Sequence, residues 1–330
     1  MATIRDVAKS AGVSVATVSR VLNKKGYVSK ESEKAVMSAI ASLNYEPNSV
    51  ARTLNNKSSS MIGLVVPDIT NPFFPELARA IEDVANIYGY TVVLCNTDEE
   101  VKKEKQYLHA LKQKYIDGII LTTSSLSDED YSKLNIPIVA LDRVIDDKTP
   151  SVFSDNKKGG EMATEHLIAN GCKYLAHIRG PIGVGPADDR YEGFVETAEK
   201  FNVPYIVVNA DFHLDRSREV AEELLRNHPN IDGIFASSDV AAAGVMKAAH
   251  SVGRLIPENL NVIGFDGIPM GTMLTPALTT VKQPIYDMGA LATRLLIKQV
   301  EKTRLDTYHY KLETKLVVRE TTKNLEVSHE

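Results

Sequence analysis

Six residues between positions 14 and 23, Ser14, Val15, Ala16, Thr17, Arg20 and Asn23, carry side chains suited to reading DNA. A guanidinium such as that of Arg20 reaches guanine or a phosphate, and small tips such as Val15 and Ala16 touch base edges or a thymine methyl. A second pair offers different chemistry. Asp142 and Asp266 each end an apolar run, Ile138-Val139-Ala140-Leu141 and Val262-Ile263-Gly264-Phe265. A carboxylate there presents acceptors to a ligand, although either aspartate equally suits a turn or a helix cap.

Catalytic signatures are missing. The chain has no G-x-x-x-x-G-K-[ST], no G-x-G-x-x-G after a strand, no H-E-x-x-H and no G-x-S-x-G. The glycines of Gly180-Pro181-Ile182-Gly183-Val184-Gly185 have the wrong order for a dinucleotide turn. Cys95 and Cys172 stand far apart without C-x-x-C spacing, so they read as packed, reduced thiols rather than a disulfide or zinc framework. Neither metal nor cofactor is expected, and an α/β enzyme of unknown substrate is the alternative from a different class.

The elements that must hold the six N-terminal residues follow from local signals. Thr3-Ile4-Arg5-Asp6 has capping-box spacing and predicts a helix to about Ser10, with Ile4, Val7, Ala8 and Ala11 inward. Gly12 breaks it, and Ser14 can cap a second helix, Val15 to about Asn23, with Val18, Val21 and Leu22 inward. A third helix, Lys30 to Leu43, closes a three-helix core through Ala35, Val36, Ala39, Ile40 and Leu43. This is a helix-turn-helix, whose second helix points its first turn into a major groove. Charge agrees: residues 1–60 carry nine Lys or Arg against four Asp or Glu, net +5, leaving 29 against 39, net −10, for the rest.

Beyond residue 60 apolar strands alternate with amphipathic helices. Strands are expected at Met61–Val66, Thr91–Cys95, Gly118–Leu121, Pro137–Leu141, Tyr174–Ile178, Tyr205–Val208, Gly233–Ala236 and Val262–Phe265, with helices at Glu76–Tyr88 and Val101–Lys114. That is an α/β fold of doubly wound parallel sheets. Ile116-Asp117-Gly118-Ile119 recurs as Ile231-Asp232-Gly233-Ile234, which indicates two similar lobes. Ligands of such sheets bind beyond the carboxyl ends of the strands, so Asp142 and Asp266 should face one another across a cleft. The N-terminus lacks the apolar core of a signal peptide, and no apolar run is long enough to span a membrane, so the expected location is cytoplasmic.

The N-terminal motifs, through Leu43-Asn44-Tyr45-Glu46-Pro47-Asn48 and Ser49-Val50-Ala51-Arg52-Thr53-Leu54, resemble the signature of the lactose-repressor family over about forty-five residues and its continuation. The resemblance implies an all-α DNA-binding head at 1–46, a hinge helix or linker at 47–58 and a two-lobe, periplasmic-binding-protein-like core at 59–330. The first lobe would comprise about 59–154 and 285–312, the second about 155–284 and 313–330. Thr3, Asn48, Val50, Ala51 and Leu54 then join the DNA-binding set, with Leu54 as a wedge in the minor groove. An ordinary linker is the competing reading, and Ser58-Ser59-Ser60 has linker composition.

The core resembles the sugar-binding core that these repressors share with periplasmic ribose-binding proteins. Asn71-Pro72-Phe73-Phe74, Asp142-Arg143, Asp189-Arg190-Tyr191-Glu192-Gly193-Phe194, Asp211-Phe212, Gly264-Phe265-Asp266-Gly267 and Lys282-Gln283-Pro284 follow the order of the ribose-pocket motifs. The resemblance assigns hydroxyl contacts to Asn71, Asp142, Arg143, Arg190, Asp266 and Gln283, and ring contacts to Phe73, Phe74 and Phe212. Phe73 or Phe74 as plain core, and Arg143 or Arg190 as a surface ion pair, are the competing readings. Ser238 joins this ligand-binding set, standing where the ribose pattern has asparagine. Ribose is the expected effector, with another pentose, another sugar or a purine-type corepressor left open.

A homodimer on a pseudo-palindromic operator follows from the family, since the C-terminus lacks leucine heptads. Tyr286-Asp287-Met288-Gly289-Ala290-Leu291 resembles the segment by which a carbon-catabolite relative meets a phosphocarrier protein, although core packing explains it more simply.

Overall fold

The computed structural model describes residues 2–23, 26–46, 58–122, 126, 130–131 and 133–323. The chain divides into two compact units, Met1–Ser59 and Ser60–Glu330. Asn48, Val50, Ala51 and Leu54, with the expected hinge, lie outside the described residues.

In the smaller unit α1 (Ile4–Ala11), α2 (Val15–Asn23) and α3 (Lys30–Ser42) enclose Val7, Ala8, Val18, Val36 and Ala39. The capping box forms, with Thr3 Oγ1 accepting from the Asp6 amide and Asp6 Oδ2 accepting from the Thr3 amide. Gly12, at φ 65°, ends α1 in the left-handed conformation that glycine adopts without penalty. One core assignment is corrected. Leu43 is exposed, because α3 ends at Ser42, and Tyr45 beyond the helix fills that position.

The larger unit contains two six-stranded sheets. The first has the order β2 (Thr91–Asn96), β1 (Met61–Val66), β3 (Gly118–Leu121), β4 (Ile138–Leu141), β5 (Ser151–Ser154) and β11 (His309–Leu312). The second has β7 (Tyr205–Asn209), β6 (Leu175–Arg179), β8 (Gly233–Ala236), β9 (Asn261–Asp266), β10 (Thr279–Lys282) and β12 (Lys315–Val317). Neighbours pair in parallel except β10 and β12. Asp142 and Asp266 directly follow and end the fourth strand of their respective sheets, so the repeat seen in sequence is a repeat of position.

Alternation along the strands explains why both faces are covered. Ile62, Leu64, Val66, Ile120 and Val139 enter one apolar cluster of the first sheet, while Val65, Ile119, Leu121 and Ala140 enter another. The helices α4 (Phe73–Ile87) and α11 (Ile285–Val300) cross at Gly289, where a methyl group would come 2.9 Å from the Ala80 Cβ and 3.0 Å from the Leu77 carbonyl oxygen. Ile285, Met288, Gly289 and Ala290 are buried there, so packing accounts for them, and Tyr286 is about half exposed. In the second lobe α6 (Asn156–Ala169) and α7 (Gly185–Lys200) approach through Gly160 and Gly193. A methyl at Gly160 would overlap the Arg190 carbonyl oxygen, and one at Gly193 that of Lys157.

The remaining elements are α5 (Val101–Gln113), α8 (Leu214–Asn227), α9 (Asp239–Ser251) and α10 (Met270–Met273). The chain passes between lobes three times, after β5, after β10 and after β11. Helix α4 starts at Phe73, three residues before the expected Glu76, because Asn71 Oδ1 accepts the Phe73 amide in an Asx turn.

Candidate functional site

A cavity of about 670 Å³ opens beyond the carboxyl ends of both sheets. Its walls include Asn71, Phe73, Phe74, Asp142 and Arg143 from the first lobe, and Arg190, Phe212 and Asp266 from the second, with Gln283 at the second passage. Phe73 and Phe74 meet edge to face at 5.2 Å between centroids, and Phe73 is largely buried in the first lobe's core. Phe73 is thus both core and wall. Asp68, Glu99, Thr122, Val184, His213 and Val240 complete much of the lining and were not singled out by sequence.

The expected ligand contact at Ser238 is corrected: this residue does not line the cavity. It precedes α9, where its hydroxyl accepts the Ala241 amide at 3.0 Å as an N-cap. The adjacent Asp239 points under the cleft instead. Its carboxylate accepts from the Ile268 amide at 2.8 Å and from the Thr280 hydroxyl at 2.5 Å. This holds the turn in which Asp266, at φ 107°, occupies a backbone region that costs a side-chain-bearing residue about 1–3 kcal/mol.

The charged groups of the cleft are joined to one another. Arg190 Nη1 lies 3.4 Å from Asp266 Oδ1 and donates to the Ser237 carbonyl at 2.6 Å. Arg190 Cζ stacks 3.8 Å from the Phe265 ring centroid. Gln283 Nε2 donates to Asp266 Oδ1 at 2.6 Å, while Gln283 Oε1 is buried with no hydrogen-bond partner among the described residues. Arg143 lies over the Tyr131 ring at 5.5 Å.

Asn156 was missed by sequence reasoning. It accepts from Arg190 Nε at 2.9 Å and donates toward Asp142 Oδ1 at 3.4 Å. Its only sequence signal was its place after the helix cap Asp155, which reads as a routine helix start. Burial raises the carboxyls of Asp142 and Asp266 above their ordinary range, with Arg190 pulling the other way. A ligand rich in hydroxyls suits such a site: carboxylates and Gln283 Oε1 can accept, guanidinium groups can donate, and Phe74 and Phe212 can cover an apolar ring face.

In the smaller unit Ser14, Val15, Ala16, Arg20 and Asn23 are exposed, and Thr17 is partly so. Ser14 Oγ accepts the Thr17 amide at 3.1 Å, fixing the start of α2. Asn23 Nδ2 donates back to the Ser19 carbonyl at 2.9 Å, and Thr3 is engaged in the capping box of α1. Among the described residues no helix is long and apolar enough to cross a membrane, and no group of three His, Cys, Asp or Glu is placed to hold a metal ion.

A helix-turn-helix head and a two-lobe core with a polar cleft define a ligand-responsive DNA-binding protein. Residues 3–48 match the model of bacterial regulatory proteins of the lacI family, and residues 59–320 that of periplasmic binding proteins and the sugar-binding domain of the LacI family. The chain belongs to the LacI family and is a DNA-binding transcriptional repressor with a sugar-binding type of core. It is 67% identical over 328 residues to the ribose operon repressor of Halalkalibacterium halodurans, covering 99% of each chain. The structure of a lac repressor dimer bound to operator and the anti-inducer ONPF matches at TM-score 0.86 and 28% identity, over 97% of this chain and 99% of that one. A LacI family regulator from Enterococcus faecium with bound ribose matches at TM-score 0.73 and 30% identity, over 79% of this chain and 98% of that one.

Proposed function

We propose that this protein is a cytoplasmic, non-enzymatic homodimer that represses a ribose-utilisation operon and leaves its pseudo-palindromic operator when ribose occupies the cleft. The observation that carries this reading is the 67% identity, over essentially the whole of both chains, to a ribose operon repressor. The ribose-bound relative and the polar cleft support it.

In this reading Asn71, Asp142, Arg143, Arg190, Asp266 and Gln283 bind hydroxyls, and Phe73, Phe74 and Phe212 cover the ring. Ser238 acts from beneath, by starting α9 beside Asp239. The α2 residues Ser14, Val15, Ala16, Thr17, Arg20 and Asn23, with Thr3, meet the major groove and its phosphates. Asn48, Val50, Ala51 and Leu54 meet the minor groove between half-sites, and the domain division is the one expected from sequence. Because sugar touches both lobes, it favours one lobe arrangement and the operator the other, and the two affinities are reciprocally linked.

The test is a thermal-shift panel of pentoses, hexoses, their phosphates and purines on the full chain, followed by operator titration with each binder. Ribose should raise the melting temperature by mass action and weaken operator binding. A purine or hexose that does so while ribose does not would replace ribose as effector.

A further inference from the structure

Asn156 is the first residue of α6, immediately after the first passage between lobes, and is only 3% exposed. It does not line the cavity, yet it touches charged groups that do, one from each lobe. Its amide orientation is fully dictated by its neighbours. Arg190 Nε can only donate, so Oδ1 must face it; the Ser154 carbonyl, at 3.1 Å, can only accept, so Nδ2 must face that. Asp142 Oδ1 lies on the donor side. One rigid planar group therefore spans Asp142 of the first lobe and Arg190 of the second, anchored to the backbone of the connecting segment.

We propose that Asn156 is a positioning residue that couples the two lobes' ligand contacts, so that sugar engagement of Asp142 and Arg190 is passed to the connecting segment and on to operator release. This rests on the sugar-released repressor reading above. A displacement of either charged group must turn or break the amide contacts, because the amide itself is buried and its three partners fix its orientation. Without Asn156 the two halves of the pocket still hold sugar, but they do so more independently. The expected loss is then in coupling, more than in the affinity for sugar or for DNA.

The experiment uses the full chain, D-ribose, and a duplex selected by the wild-type protein from a randomised library. Operator affinity is read by fluorescence anisotropy without ribose and at saturating ribose, and ribose affinity by calorimetry. Asn156→Ala removes all three contacts. Asn156→Asp keeps the shape and the acceptor for Arg190 but loses both donated bonds, to Asp142 and to the Ser154 carbonyl, and it decides the matter should the alanine variant fail to fold. Both variants are expected to bind operator within about 3-fold of wild type without ribose, while the ratio of operator affinities without and with saturating ribose falls about 5-fold or more. A wild type that responds to ribose beside variants with the same ratio would overturn the role of Asn156, as would a loss confined to ribose affinity. A wild type that does not respond to ribose would overturn the ribose reading itself, and the coupling role with it.

Discussion

Gln283 Nε2 donates to Asp266 Oδ1 at 2.6 Å, and Gln283 Oε1, buried on a residue lining the cleft, has no hydrogen-bond partner among the described residues. The two side chains thus form one acceptor surface, with Arg190 on its other flank. A ligand hydroxyl that donates to Oε1 adds about 0.5–1.5 kcal/mol to binding.

Asp266→Asn should weaken ribose binding by about 1.5–3 kcal/mol, tenfold or more, by removing a charge-assisted acceptor and the partner of Arg190. Asparagine tolerates the positive φ of this position, so the fold should be retained. Calorimetry with ribose and anisotropy on operator check both halves: sugar affinity falls and operator affinity in its absence stays.

Gly160→Ala should separate α6 from α7, because the added methyl overlaps the Arg190 backbone. Overpacking of this kind costs about 1–3 kcal/mol in urea unfolding. Ribose affinity should fall in the same variant, since the residue displaced is the one facing Asp266. Unchanged affinity with lowered stability would show that the helix spacing does not govern the position of Arg190.

His177 is buried between the rings of Phe194 and Phe235, at 5.0 and 4.7 Å, and its Nδ1 donates to the Phe235 carbonyl at 2.9 Å. Burial pushes its pKa down from 6.5 to about 3. As the pH falls below 6.5 the unfolded chain takes up a proton that the native state refuses, so this stabilisation is whole above 6.5 and shrinks on the acid side. Between pH 7 and pH 5 the wild type should lose about 2 kcal/mol more than His177→Phe, which keeps the ring stack but cannot titrate. Paired urea titrations at the two pH values measure the difference.

Arg20→Ala should weaken operator binding by about 1–3 kcal/mol and leave ribose affinity unchanged, because the side chain is exposed on α2 and supports no part of the core. If Arg20 meets a phosphate, the salt dependence of binding should flatten by about one counterion as well. Gel-shift titrations at two salt concentrations distinguish base from phosphate contact.

Legibility followed burial. Strands β1, β3 and β8 are unbroken apolar runs, and their limits could be read directly. Strands β5, β10, β11 and β12 were not read, because Ser151-Val152-Phe153-Ser154 and Thr279-Thr280-Val281-Lys282 carry polar residues whose burial comes from sheet neighbours rather than from their own pattern. In the cleft, aspartates ending apolar strands were visible and the aromatic residues came with the family resemblance. Ser238 and Asn156 were not distinguishable from helix-start residues, since a serine or an asparagine at such a position suits a cap as well as a ligand.

The three passages between lobes have a consequence for how such proteins can diversify. Each sheet draws its edge strand from the far end of the chain, β11 for one and β12 for the other, only two residues apart. No single recombination point within residues 60–323 therefore exchanges one complete lobe for another. A junction near Ser59, where one compact unit ends and the next begins, instead joins a whole head to a whole core. One genetic event there gives a new pairing of operator and ligand, whereas one crossover inside the core cannot replace either lobe alone.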